Sequence, residues 1–322
     1  MGKRLCLLII YLISVQYTHA KSVGDITRVL FIGNSFTANY ATPDIFDSLA
    51  EKAGIKVEVG SFLRLGKSIK YFRYNDTCFE KIRQEPWDYI VIQDMQSDYA
   101  DSIGKFFPGT AENAMSFQDS IKKIWPCTRI IFVAGWEKRD GMPDKFPGDN
   151  TDRAIHRIMA NHAWINAHVH NTLAPVGLAW MRILKSRPDL DPYNTLDNRH
   201  PSLIGAYLYA NVIFTTVFRH SSTASKYNNI FTADDALAIR RIASNAVMDT
   251  LDYTKLNSIS IRCTKVGAKW LAPKGFVSYQ WYKNNIRIKG ATGREIAVRA
   301  TKDKYFVKAR GGKGCLFQSF AE

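Results

Sequence analysis

The sequence predicts a three-layer α/β/α sandwich with a mostly parallel sheet, followed by a small all-β sandwich. From residue 27 to about residue 254, short β-branched apolar segments alternate with longer segments of helical periodicity. Nearly continuous apolar character is typical of parallel strands that are covered on both faces. After residue 255, short alternating strands are separated by turn residues, which indicates a second, β-rich domain. The 322 residues, 46% of them hydrophobic, are enough for two cores and exclude a disordered chain.

Five apolar segments predict the strands of the parallel sheet, the last of them more weakly. They are RVLFIG (28–33), IKVEVG (55–60), DYIVIQ (88–93), RIIFVAG (129–135) and TLAPVGLAW (172–180). Helices are predicted over 43–53, 202–218 and 233–251 from the spacing of their apolar residues. Ligands of such sheets bind beyond the carboxyl ends of the strands, so the residues directly after each strand are the candidates for a site.

The first 20 residues have the pattern of a secretory signal. Lys3 and Arg4 precede an apolar run, and Thr18-His19-Ala20 follows it. The run is shorter than the roughly 20 residues of a membrane anchor, and no later run is long enough to span a bilayer. We therefore expect cleavage near Ala20, secretion, and three segments: signal (1–20), α/β domain (21–254) and β-sandwich (255–322).

Four cysteines remain after the signal is removed, and an exported chain permits disulfides between them. Cys263 with Cys315 is the preferred pair, because both fall in the C-terminal segment. Pairing of Cys78 with Cys127 is left open, with single buried thiols as the alternative. No Cys/His spacing indicates zinc.

The net charge of +15 raises nucleic acid and anionic surfaces as partners. Residues 255–322 contain 15 Lys and Arg against 3 Asp and Glu, whereas residues 21–254 contain 27 against 26. The excess therefore belongs to the C-terminal domain, which we expect to bind an anionic glycan or the cell envelope. The segment after Gly33 lacks a phosphate-binding motif, so no nucleotide or other cofactor is expected. Because the α/β domain is nearly neutral, no nucleic acid is expected either.

Two short motifs carry the chemistry of the α/β domain. Gly33-Asn34-Ser35 follows the first strand, which places a serine at the carboxyl edge of the sheet. Asp197 and His200 lie three residues apart before a predicted helix. A serine needs a nearby base, and a carboxylate can orient a histidine for that task.

With these motifs, residues 27–254 resemble the SGNH (GDSL-like) hydrolases, which have a flavodoxin-like sandwich. The resemblance implies Ser35 as nucleophile, His200 as general base and Asp197 as its partner. It implies a glycine amide in the oxyanion hole, with Gly66 as the best match and Gly60 as the weaker one.

The family's oxyanion asparagine is absent from this sequence. The third strand leads instead into Gln93-Asp94-Met95-Gln96. We expect the amide of Gln93, or else of Gln96, to donate beside the backbone of Ser35. Loss of one such donor costs roughly 10²–10³ in rate.

Other residues near the strand ends are candidates for substrate binding. They are Asn34, Gln96, Trp136 and Arg199, with Arg64 as a further candidate to bind an anion. Trp136 is a candidate to stack on a sugar, with packing as the alternative. Four histidines between 156 and 170 are not spaced to lie on one helix face, and no metal is expected.

The C-terminal segment VSYQWYKNNIRIKGAT resembles a strand of bacterial immunoglobulin-like modules. Together with export, the two resemblances imply a secreted bacterial esterase of the carbohydrate-esterase branch. Its expected substrate is a small acyl ester or an acylated glycan. The alternatives are a lipid-ester or thioester hydrolase, and a non-catalytic glycan-binding or adhesion protein.

Overall fold

The computed structural model describes residues 26–169, 171–250, 259–261, 263–284, 286–298, 303–311 and 315–319. The predicted signal segment and the predicted domain boundary at 254/255 lie outside these residues. Within them, no helix combines the length and the apolar character needed to cross a membrane.

The first part of the chain alternates strands with helices. The strands are β1 (Thr27–Gly33), β2 (Val57–Leu63), β3 (Tyr89–Ile92), β4 (Arg129–Val133) and β5 (Thr172–Ala174). The helices are α1 (Ser35–Ala38), α2 (Thr42–Glu51), α3 (Ile69–Arg73), α4 (Asp76–Gln84), α5 (Thr110–Ile124), α6 (Thr151–Val169), α7 (Val176–Ser186), α8 (Leu203–Phe218) and α9 (Ala233–Met248). Short 3₁₀ helices cover Gln96–Tyr99 and Ser222–Ala224.

The five strands form one parallel sheet in the order β2-β1-β3-β4-β5. In a doubly wound sheet of this order, the direction in which strands are added reverses between β1 and β3. The loops after these two strands therefore diverge and leave a crevice. The motif around Ser35 follows β1, and Gln93 follows β3. The fold therefore brings two of the predicted site segments to its switch point.

Alternate residues of β1 face two separate cores. Val29 and Phe31 pack with α2, α7, α8 and α9, whereas Leu30 and Ile32 pack with α3, α4 and α5. All four side chains are fully buried. The sheet is thus covered on both faces, which confirms the predicted parallel α/β sandwich.

One predicted strand is mostly helix. The segment 172–180 forms only the short strand β5, and α7 begins at Val176. Val176, Ala179, Trp180 and Ile183 are buried and have the spacing of one helix face. The continuous apolar character of this segment does not distinguish a buried strand from a buried helix.

The C-terminal residues form two small sheets. Their strands are β6 (Ile259–Ile261), β7 (Thr264–Val266), β8 (Lys269–Leu271), β9 (Ser278–Lys283), β10 (Ile286–Arg287), β11 (Glu295–Ala297), β12 (Tyr305–Arg310) and β13 (Leu316–Ser319). One sheet has the order β10-β9-β12-β13-β6 and the other β11-β8-β7. Trp281 and Val307 of the first pack with Trp270 and Ile296 of the second. This arrangement is compatible with an immunoglobulin-like module, which remains a prediction.

A disulfide joins Cys127 to Cys315, so the predicted pairing of Cys263 with Cys315 is wrong. Pairing of Cys78 with Cys127 is excluded as well, and Cys78 is a buried thiol. Cys127 lies just before β4, at the amino edge of the sheet, and the partners are 188 residues apart in sequence. The bond therefore attaches the C-terminal sheets at the edge opposite to Ser35. Proximity in sequence favoured Cys263, but the tertiary fold decided the partner.

Candidate active site

The turn between β1 and α1 presents Ser35 at the carboxyl edge of the sheet. Asn34 caps α1 by accepting a hydrogen bond from the Phe36 amide at 3.1 Å, and its Nδ2 donates to the Lys67 carbonyl at 3.0 Å. A Cβ on Gly33 would lie 2.9 Å from Oε1 of Gln93 and 2.9 Å from Oγ1 of Thr37. Glycine is therefore required at position 33 by close packing beneath the turn.

Gln93 supports this turn from the end of β3. Its Oε1 accepts from the Asn34 amide and from the Thr37 hydroxyl, each at 3.0 Å, and its Nε2 donates to the Asp94 carbonyl. Only an oxygen can accept from the Asn34 amide, so the orientation of the side-chain amide is fixed. Gln93 is 1% exposed. These contacts make it a brace of the turn, which differs from the expected oxyanion donor.

The loop before α8 carries Asp197 and His200 and is closed by backbone contacts. Tyr193 pairs with Pro201 as an isolated bridge, and the Asn194 amide donates to the His200 carbonyl at 2.9 Å. Asn198 adopts a positive φ of 50°, a conformation that asparagine tolerates better than most residues. The loop thus has one compact shape that turns the His200 ring toward α1.

Ser35, His200 and Asp197 form a continuous hydrogen-bonded relay. The Ser35 Oγ lies 2.8 Å from Nε2 of His200, and Nδ1 of His200 lies 2.5 Å from Oδ2 of Asp197. The sequence places these groups 165 residues apart, and the structure brings them within hydrogen-bond distance. All three are partly exposed, as a group that meets substrate must be.

Asp197 is held in its ionised form. Burial by itself would raise its pKa, but hydrogen bonds from the His200 ring and from the Arg199 and His200 amides outweigh burial and keep the pKa below 3.8. A carboxylate can only accept hydrogen bonds, so Nδ1 of His200 carries the hydrogen. In the neutral imidazole, Nε2 is then left to accept the hydrogen of the Ser35 hydroxyl.

The backbone amides of Ser35 and Gly66, both at this edge, donate no hydrogen bond within the described part of the chain. The Gly66 loop lies against the turn, because the Arg64 amide donates to the Gly33 carbonyl at 2.9 Å. Gly66 has a φ of 68°, in the left-handed region that favours glycine. Gly60 lies within β2, where a Cβ would approach the Trp87 ring to 2.5 Å. Packing explains Gly60, and Gly66 stays the candidate donor.

Three of the predicted substrate-binding residues are structural instead. Asn34 is fully buried in its two contacts. Gln96 is 1% exposed, accepts from the Gly135 amide at 2.9 Å and donates to the Asp94 and Val133 carbonyls. Trp136 is also 1% exposed, stacks on Trp180 at 3.8 Å and donates to the Arg199 carbonyl at 2.9 Å. Burial of Trp136 excludes its stacking on a sugar. All three side chains instead support the surrounding turns.

Arg199 remains partly exposed beside the relay and is paired with a residue that the sequence analysis missed. Its Nε lies 3.3 Å from Oε1 of Glu137, and its guanidinium lies 5.8 Å from the Phe36 ring, which contacts His200. Burial raises the pKa of Glu137, and Arg199 partly offsets this effect. Burial, Asp94 and Glu137 together raise the pKa of Asp98 to about 7. The only signal for Glu137 was its position after β4, at the same edge as Ser35.

The histidines of α6 do not form a metal site. His162 is buried and stacks on Tyr99 at 4.0 Å, and burial lowers its pKa to about 3. His168 is exposed near the end of the helix, and His170 lies outside the described residues. No group of three metal-ligating side chains occurs in the described ranges.

Comparison with known proteins identifies a shared fold. No family model and no curated protein matches the chain. A DUF4886 family protein from Bacteroides uniformis is 19% identical, with a TM-score of 0.60 over 72% of this chain and 98% of the other. A candidate SGNH hydrolase from Slackia heliotrinireducens is 24% identical, with a TM-score of 0.48 over 60% and 100% of the two chains. An acetylxylan esterase mutant from Geobacillus stearothermophilus is 14% identical, with 0.44 over 58% and 92%. Only the first likeness is close enough to carry an argument, and it shows that the chain has the fold of that protein.

Proposed function

We propose that this protein is a secreted serine esterase of the SGNH kind that removes O-acetyl groups from carbohydrate. The observation that carries the proposal is the relay in which Ser35 Oγ lies 2.8 Å from His200 Nε2 and His200 Nδ1 lies 2.5 Å from Asp197. A serine, a histidine and an ionised carboxylate in this order are the parts of an acyl-transfer site.

In the proposed reaction, Ser35 Oγ attacks the ester carbon while His200 Nε2 takes the hydroxyl proton. Asp197 stabilises the resulting imidazolium through Nδ1. His200 then returns the proton to the leaving alcohol, and an acyl-serine remains. Water, deprotonated by the same nitrogen, attacks this ester, and the proton passes back to Ser35 as the acid leaves.

The proposed oxyanion hole consists of the amides of Ser35 and Gly66. Both are free to donate within the described residues, whereas the Gln93 amide is engaged with the turn. We propose a hole with two backbone donors and no glutamine donor, because Gln93 is buried and its amide contacts the turn. Since one donor is worth roughly 10²–10³ in rate, turnover is expected to be low.

The carbohydrate substrate rests on the sequence resemblance and on the predicted signal at residues 1–20. Partly exposed Arg199, held by buried Glu137, and exposed Arg64 are the remaining substrate-binding candidates of those predicted. Lipid esters are the rival substrate, and acyl-chain length distinguishes the two.

Hydrolysis of 4-nitrophenyl acetate by the purified protein and by Ser35→Ala tests the proposal. The substitution removes the nucleophile and is expected to lower kcat by at least about 10⁴-fold. Ser61→Ala is the matched control, because Ser61 is an exposed serine within β2. Equal rates for Ser35→Ala and the unchanged protein would refute the esterase and favour the binding-protein alternative.

The length of the acyl chain and the glycan that the active protein prefers are then measured. We expect acetyl esters to be cleaved faster than octanoyl esters, and acetate to be released from an acetylated polysaccharide. A preference for octanoyl esters would refute the carbohydrate substrate while leaving the serine esterase intact.

A further inference from the structure

The strand register of the larger C-terminal sheet assigns each side chain to one of two faces. Trp281 on β9 pairs with Val307 on β12, and both point into the core shared with the smaller sheet. Side chains alternate along a strand, so the neighbouring pairs point to the opposite, outer face. These pairs are Tyr282 with Phe306 and Gln280 with Lys308. Arg287 on β10 pairs with Tyr282 and lies on the same outer face.

These five residues form one continuous set, which we call the basic-aromatic face. The Tyr282 and Phe306 rings are stacked, with centroids 4.7 Å apart and planes 2° from parallel. Lys308 Nζ lies 5.1 Å from the Tyr282 ring, and Arg287 Nε donates to Gln280 Oε1 at 2.8 Å. Arg287 is exposed, and Gln280, Tyr282 and Lys308 are half-buried. These contacts hold Lys308 over the Tyr282 ring and Arg287 against the Gln280 side chain.

The positive charge of this face is not neutralised by the described carboxylates of the C-terminal sheets. Glu295 pairs with Lys269 at 2.7 Å, and Asp303 pairs with Lys283 at 2.8 Å. Neither Arg287 nor Lys308 has an ion-pair partner among the described residues. The domain containing them has 15 basic against 3 acidic residues, so it attracts anions at long range.

We infer that the basic-aromatic face binds a chain of an anionic polysaccharide. Arg287 and Lys308 lie two strands apart, about 10 Å across the sheet, and suit carboxylates that recur along a polymer. The Tyr282 hydroxyl offers a hydrogen bond to a sugar hydroxyl. Phe306, at 7% exposed, leaves too little free ring for the base stacking that single-stranded nucleic acid uses.

The position of the face separates this binding from the proposed chemistry. The disulfide at Cys127 attaches the C-terminal sheets at the amino edge of the parallel sheet, and Ser35 lies at the carboxyl edge. The inference does not depend on esterase activity. Binding is expected to persist in Ser35→Ala.

The test measures binding of the full chain to polygalacturonate by calorimetry at low salt, with dextran as the neutral polymer. Arg287→Gln/Lys308→Gln is expected to weaken binding at least about tenfold, because each charge-assisted hydrogen bond contributes about that factor. Lys265→Gln/Lys274→Gln is the matched control: it removes the same charge from exposed positions, one of them on the smaller sheet. We expect this control to weaken binding by less than about twofold.

Three results would overturn the inference. Equal losses in the two double variants would mean that diffuse charge, and not this face, holds the polymer. Equal binding of dextran and polygalacturonate would show that the two cations do not contribute to binding. Tighter binding of anionic vesicles or of single-stranded DNA, with the same sensitivity to Arg287→Gln/Lys308→Gln, would assign the face to another class of partner.

Discussion

The carboxyl edge of the parallel sheet and the outer face of the C-terminal sheet place their polar groups in opposite ways. At the edge, Gln93, Asp94 and Gln96 are each 1% exposed and bonded to the backbone. On the outer face, Arg287 and Lys308 are accessible and held by neighbouring side chains. A reacting serine must be positioned within fractions of an ångström, which requires a rigid support. A cation that attracts a polymer requires only access and a common face.

The distribution of charge follows the same division. Residues 21–254 are nearly neutral, whereas residues 255–322 have a net charge of +12, from 15 basic and 3 acidic residues. The candidate site contains a local excess of carboxylates, in Asp98, Glu137 and Asp197, against Arg199. An overall pI of 9.5 therefore describes the C-terminal sheets and says nothing about the site.

The largest effect is expected where the two regions are covalently joined. Replacing Cys127 and Cys315 together by serine opens a loop with a sequence separation of 188 residues. The chain-entropy model then gives a loss of at most about 5 kcal/mol in free energy of unfolding. We expect the loss in the C-terminal sheets, measured as faster hydrogen exchange of β12 and β13, with the exchange of β1 and β3 unchanged.

Reduction of the unchanged protein should reproduce this result, and the double variant should not respond to reductant. Cys78→Ser serves as the control, because Cys78 is a buried thiol of the α/β core. Faster exchange in β1 after loss of the disulfide would show that the two regions unfold together. This result would contradict the expectation that only the C-terminal sheets lose stability.

A smaller effect is expected from substitution of Gln93, which supports the turn beneath Ser35. Gln93→Met keeps the side-chain length but leaves the Asn34 amide and the Thr37 hydroxyl without their acceptor. Unpaired buried donors of this kind cost about 2 kcal/mol in stability. A displaced nucleophile is expected to lower kcat about 10²-fold with little change in KM. Urea unfolding and ester hydrolysis measure the two quantities.

Gln96→Met is the matched control for this prediction. Gln96 makes similar contacts one strand further from Ser35, between β3 and β4. We expect a similar loss of stability and a much smaller loss of kcat. If both variants lowered kcat equally, Gln93 would affect kcat through the stability of the protein alone and not through the position of Ser35.

The last effect concerns pH and the carboxyl of Asp98, whose pKa burial raises from 3.8 to about 7. Between pH 4 and 7 the unfolded chain loses this proton and the folded chain keeps it. The contribution of Asp98 to the free energy of unfolding therefore falls as pH rises through this range and is constant above it. Asp98→Asn should flatten the pH dependence of urea unfolding between pH 4 and 7. Parallel profiles of the two proteins would contradict the raised pKa.

The periodicity of the sequence predicted most of the α/β fold because both faces of β1, β3 and β4 are buried. The strands β1, β3 and β4 coincide with predicted segments, whereas β2 extends to Leu63 and β5 ends before α7. In the C-terminal part, the sequence predicts strands in SISIRC, VSYQWYK, IRIKG, EIAVRA and KYFVKAR, so β7, β8 and β13 were missed. β7 is exposed along its length and β8 is exposed or half-buried, so neither has the apolar alternation on which a strand prediction depends.

At the candidate site, sequence identified the three residues of the relay but not the residues that hold them. Ser35, Asp197 and His200 were found from motifs, and the structure brings their side chains together. Gln93, Gln96 and Trp136 are buried, and packing was the stated alternative for Trp136. A polar or aromatic residue after a strand can point into the site or beneath it. Only the packing of the neighbouring turn decides between these directions.

The sequence by itself determined the parallel sandwich, the relay residues and the basic C-terminal region, since periodicity, motif spacing and charge are local properties of the chain. Tertiary structure alone decided the Cys127–Cys315 bond, the pairing of Arg199 with Glu137 and the common face of Arg287 and Lys308. Each of these depends on contacts between segments that are distant in sequence or on the register of paired strands. Such contacts exist only once the chain has folded.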